Sequence, residues 1–123
     1  MIFIPGNCPS SKNSRVWTGK YLITSKYTRS YENSTIYIYR AYKTKFKKMV
    51  GLRKYPLKVG FYFIRDSKAR FDYTNIVQKV ADMMVDAGWI DDDDMDHFNP
   101  VFLGYEVDKA NAGVQISILT SDC

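Results

Sequence analysis

The sequence predicts an α+β fold, a small mixed sheet of three to four strands with helices packed on one face. Three observations carry that reading. From Thr74 to Ala87, the residues Ile76, Val77, Val80, Ala81, Met83, Met84 and Ala87 fall on one broad face at helical spacing, while Asn75, Lys79, Asp82 and Asp86 line up opposite. Residues 57–64 alternate between apolar and other side chains and then become continuously apolar, as a central strand does. Residues 101–107 and 113–119 are two further strand-like stretches, separated by turn residues that include Asn111.

The remaining elements follow in chain order. Residues 2–4 form a short first strand closed by Pro5-Gly6, and residues 7–14 read as a loop by composition. From about Ser25 to Met49 the larger apolar groups fall at Tyr27, Tyr31, Ile38, Tyr42, Phe46 and Met49, which fits one long helix, although residues 34–39 have strand-like propensity. Lys43, Lys45, Lys47 and Lys48 load its last turns with the charge a helix C-terminus favours. Pro56 precedes the central strand, and Arg65 to Arg70 is a basic loop. Asp72 or Thr74 caps the following helix, and Gly88 suits its exit.

A chain of 123 residues predicts one domain, residues 1–123, with an ordinary apolar core. No apolar run approaches the roughly 20 residues that span a bilayer. The first residues lack a basic segment followed by a long apolar stretch, so no signal peptide is expected. Cys8 and Cys123 are too few for a disulfide framework and have no metal-type spacing. Charge is distributed unevenly. Residues 1–70 hold sixteen Lys and Arg against two acids, a net +14; residues 71–123 hold two bases against eleven acids, a net −9. A polyanion partner suits the first half, and a divalent cation suits the second.

The carboxylates gather around the helix at 74–87. Asp72 precedes it; Asp91, Asp92, Asp93, Asp94 and Asp96 follow. Such a run repels itself, and a hard cation held by one or two carboxylates, water and substrate phosphate relieves the repulsion. A solvated acidic loop is the commoner role of such a run. Geometry favours the site: the helix is about 20 Å long, and an extended return over residues 89–93 covers about 16 Å. A turn at Gly88 would bring Asp92 and Asp93 back towards Asp72, with Trp89 and Ile90 pinned to the core.

These residues resemble a known family. Asp72-x-Thr74-Asn75, then Asp82, then 87–93 as Ala-Gly-Trp-Ile-Asp-Asp-Asp, is similar to the signature of the RusA-type Holliday-junction resolvases, and the spacings from Asn75 to Asp82, Gly88 and Asp93 match without a gap. Residues 9–13, Pro-Ser-Ser-Lys-Asn, resemble the family's Pro-Ser-x-Asn loop with one residue extra. The order of the basic segment, strand, motif helix and closing strands also agrees, so the resemblance spans most of the chain.

What the resemblance implies is Mg²⁺-dependent (Mn²⁺ as substitute) hydrolysis of phosphodiesters at four-way DNA junctions, in recombination and repair, by a homodimer of the kind common in phages and prophages. No nucleotide cofactor and no membrane is implied, and by the same analogy the location is the cytoplasm of a bacterial or phage-infected cell. Asp72, Asp92 and Asp93 fall on metal-binding positions, with Asp72 and Asp93 catalytic. Two positions depart: Thr74 replaces a metal-binding aspartate, and Gln78 replaces the catalytic lysine, with Lys79 one residue later as its candidate stand-in. Lys12, Asn13, Arg15, Lys68, Arg70 and Asn75 are the candidate DNA contacts. The departures leave a second reading open, a non-catalytic DNA-binding or interaction module on the same fold. A related nuclease for other branched or single-stranded DNA is a third. Tyrosines interleaved with bases between residues 21 and 55 either stack on bases or, more often, fill a core. His97 is a ligand or a surface partner of the aspartates, and Phe71 a junction wedge or a core ring.

Overall fold

The computed structural model describes residues 1–9, 15–17, 22–24, 26–68, 71, 73–94 and 96–119, with residues 15–17, 22–24, 26 and 27 described through their backbone alone. The elements are β1 (Ile2–Pro5), β2 (Arg15–Trp17), β3 (Leu22–Thr24), α1 (Lys26–Ala41), α2 (Lys43–Val50), β4 (Leu57–Arg65), α3 (Tyr73–Asp86), β5 (Phe98–Val107) and β6 (Gly113–Ile118). A 3-10 turn at Lys109–Asn111 links the last two strands.

The main sheet has four strands in the order β1-β6-β4-β5, and β2 pairs with β3 as a separate antiparallel ribbon. β6 runs antiparallel to both β1 and β4, whereas β5 runs parallel to β4, so the sheet is mixed. A parallel neighbour requires a crossover, and α3 with its return segment supplies it. The α+β class, the strand count and the central place of β4 agree with expectation. Ile2, Ile4, Phe61, Phe63, Val114 and Ile116 share one sheet face through the strand register, and they join Tyr39, Phe46, Ile76, Val80, Met84 and Trp89 from the helical layer in one buried cluster. No described helix is long and apolar enough to cross a membrane.

Two features differ from the sequence reading. The ribbon β2–β3 occupies a stretch to which no element was assigned. The helix expected over 25–49 is two helices, broken at Tyr42. There the Tyr42 N–H is shared between the carbonyls of Ile38 and Tyr39, both at 3.1 Å. Tyr39 O also accepts from the Trp89 indole at 2.7 Å, and a side-chain donor inserted at a carbonyl is a recognised cause of helix bending. In α1 the deeply buried positions are Thr28, Tyr31, Thr35 and Tyr39. Two are threonines, which an apolar count overlooks. Thr35 is satisfied inside the helix by donating to Tyr31 O at 2.6 Å.

Candidate nucleic-acid interface

The helix carrying the motif ends as expected. Ala87, Gly88 and Trp89 donate back to Met83, Val85 and Met84 at 2.9, 3.0 and 2.9 Å, and Gly88 sits at φ +79°, the left-handed region that glycine enters without strain. The chain then reverses. Trp89 is fully buried and Ile90 nearly so, with the indole stacked on Phe46 at 4.8 Å between centroids. The apolar anchor assigned to these two residues is therefore present, and the aspartates follow directly from it.

The charge of Asp93 is felt at Asp82, in the C-terminal half of α3. Both carboxyls are held above the usual carboxylate range. For Asp82 the main cause is burial; Lys79 opposes it, and Asp93, Asp86 and Glu32 reinforce it. For Asp93 the main cause is again burial, followed by its hydrogen bond with Asp92 and the charges of Asp92 and Asp94, while its own backbone N–H opposes them. Asp92 Oδ1 accepts from the Asp93 backbone N–H at 2.8 Å. Crowded carboxylates whose charge is disfavoured are stabilised by any cation that arrives among them.

One cation is already there. The Lys79 ammonium lies 2.9 Å from Glu32 Oε1, its side chain only 11% exposed. Lys79 thus points into the seam between α3 and α1 and belongs to an internal ion pair. Thr74 and Gln78, the positions where the resemblance calls for aspartate and lysine, are both exposed on the outer surface of α3. Asn75 is half-buried on the same helix.

The rest of the acidic run has a structural occupation. Asp94 Oδ1 lies 2.6 Å from His97 Nδ1, and the Asp94 backbone carbonyl accepts from His97 and Phe98 at 3.1 and 3.0 Å. The pair pulls the Asp94 carboxyl down, chiefly through the His97 hydrogen bond, and raises His97, chiefly through Asp94. This closes the loop that leads into β5. Asp91 and Asp92 are exposed.

The N-terminal end of α3 gathers a second set of residues. Arg65, buried at the end of β4, donates to Cys8 O at 2.6 Å, and its guanidinium carbon lies 4.6 Å from the centroid of the Phe71 ring. Asn7 Oδ1 accepts from the Asp66 backbone N–H at 3.0 Å. These bonds carry the loop after β1 to the basic segment before α3. Lys68 is exposed there. Asp72, Lys12, Asn13 and Arg70 lie outside the described residues, as does the side chain of Arg15. Among the described residues, no three His, Cys, Asp or Glu side chains are grouped closely enough to hold a metal ion. Two contributors escaped the sequence reading as site residues. Glu32 is one of only two acids in the first 70 residues, and that scarcity was its signal. Asp82 belonged to the motif but was given no role. No protein-family model matches the chain, and no curated protein matches it.

Proposed function

We propose that this protein is a divalent-metal-dependent, structure-specific endodeoxyribonuclease acting on branched DNA, four-way junctions foremost, of the RusA type. The observation that carries this reading is the reversal at Gly88, after which the buried Trp89 and Ile90 deliver the chain directly into the aspartates, as the motif spacing requires. The donor chemistry suits a hard cation: Asp92 and Asp93 offer adjacent oxygen ligands, Asp72 is the third candidate, and Mg²⁺ asks for only one or two carboxylates besides water and phosphate. When bound, such a metal supplies an activated water and charge neutralisation at phosphorus. The chain's own part is to orient those carboxylates through the buried Trp89 and Ile90 and to draw the DNA backbone to the basic segment around Lys68. A homodimer would present two such sites to the two strands cut in a junction.

The test is incubation of a labelled synthetic four-way junction with millimolar Mg²⁺ or Mn²⁺, with linear duplex as control and Asp93→Asn beside the wild type. The expected result is paired symmetric nicks in the junction, lost by at least about a hundredfold in Asp93→Asn, as for removal of a transition-state charge stabiliser. A purified protein that neither cleaves nor selectively binds branched DNA refutes the reading. A second reading, a binding module without catalysis, is favoured by the capture of Lys79 by Glu32 and by the uncharged, exposed Thr74 and Gln78. Selective junction binding with no nicks in either metal would establish it.

A further inference from the structure

β5 is an edge strand of the main sheet, and it carries a bulge. Phe61 pairs with Phe102, but Tyr62 pairs with Gly104 and Phe63 with Tyr105, so Leu103 is the extra residue. Gly104 sits at φ +126°, a conformation that an L side chain rarely adopts. Ordinary alternation would send Phe102 and Tyr105 to opposite faces of the sheet. The bulge instead puts both on the face that carries α3. Both rings stay open to solvent, 44% and 53% exposed.

Opposite them stand Phe71 and Tyr73, the chain neighbours of Asp72. Phe71 meets Tyr105 edge-on at 5.1 Å and 86°, and Tyr73 meets Phe102 at 4.6 Å and 61°. Together with Lys68 these rings line a groove of about 500 Å³, a volume in the range of small-ligand sites. Arg65 backs the Phe71 ring from the protein side. The Tyr73 hydroxyl is buried without a hydrogen-bond partner among the described residues, a polar group left over at the groove wall. The described lining includes a cation and no acid.

We infer that this groove takes one unstacked nucleobase of single-stranded or branched DNA, held by the Phe102 and Tyr105 rings while Lys68 meets the adjoining phosphate. Flat π-faces beside a lysine suit any base and its phosphate, and the described lining offers no acid to repel the backbone. The inference rests on the DNA reading above and narrows it: the substrate has an unpaired nucleotide that the groove beside the N-terminal end of α3 receives.

The experiment compares a 12-nucleotide oligo-dT with its fully abasic counterpart in an equilibrium binding assay, and follows 2-aminopurine fluorescence in a single-stranded overhang. Wild-type protein should bind the base-bearing strand about tenfold more tightly than the abasic one and quench 2-aminopurine. Tyr105→Ala should lose the preference and the quenching while keeping its affinity for the abasic strand, and Tyr105→Phe should keep both. A preference that is absent in wild type, or unchanged in a folded Tyr105→Ala, overturns the inference. So does a fall from dimer to monomer on sedimentation of Tyr105→Ala with no change in base preference, which would make the rings a contact between copies. Junction nicking without base preference removes the groove and spares the nuclease; quenching without nicking in either metal does the reverse.

Discussion

Lys79 offered an apparent replacement for the lysine missing at position 78, because it follows one residue later and shares the polar stripe of α3 with Asn75. One residue on a helix is about a 100° rotation, and that rotation separates the exposed Gln78 from Lys79, which lies in the seam with α1. An ammonium that is 11% exposed has given up most of its water, and Glu32 compensates for the loss. Removing one partner of such a pair costs more than removing both, because the survivor is left without a counter-charge. Glu32→Gln is therefore expected to destabilise the fold by about 1–2 kcal/mol, the figure discounted because Glu32 is about one-third exposed. Adding Lys79→Met should recover most of that loss. Urea unfolding of the two single variants and the double variant checks it; a Glu32→Gln curve that overlays wild type would show the pair to be idle.

The loop from Asp91 to His97 behaves as an element in its own right. Its first residues inherit their position from the Gly88 turn and the Trp89 anchor, and its end is tied by Asp94 and His97. The linkage has a definite sign. His97 is raised in the fold, so its contribution is complete below the ordinary imidazole value of about 6.5 and is lost as pH rises through the raised value. Asp94 is lowered, so its contribution is present above the ordinary carboxyl value of about 4 and is lost as pH falls through the lowered one. The contact is thus strongest between those limits. An NMR titration of the His97 ring should give a midpoint above the ordinary value, falling toward it in Asp94→Asn. A midpoint indifferent to that substitution would mean that the contact does not persist in solution.

For the molecule as a whole, the separation of charge along the chain has a measurable consequence. A basic first half beside an acidic second half makes binding to a polyanion depend on how many cations reach phosphates. On the DNA reading, the logarithm of the binding constant should fall linearly with the logarithm of salt concentration, and Lys68→Gln should make that slope shallower by about one. An unchanged slope would remove Lys68 from the contact surface. Asp91→Asn, at an exposed carboxylate on the acidic side, should leave the slope as it is.

Periodicity and punctuation were enough to locate β1, β4, α3, the Gly88 turn and the last two strands, because each depends on local spacing and on one residue with special backbone freedom. The Trp89–Ile90 anchor was legible for the same reason: two large apolar groups between a helix exit and a run of aspartates have nowhere else to go but the core. The break at Tyr42 was not legible, since it follows from an indole donated to the Tyr39 carbonyl by Trp89, 50 positions from Tyr39 in the chain. Nor was the fate of Lys79, whose partner on α1 is chosen by how two helices pack. The aromatic groove was hidden in the same way. Gly104 stands plainly in the sequence, but the bulge that turns Phe102 and Tyr105 to one face exists only in the pairing with β4. Local chemistry thus settles the elements and their ends, while contacts between distant segments settle which side chains meet, because register and helix packing are properties of pairs of segments and neither segment carries them alone.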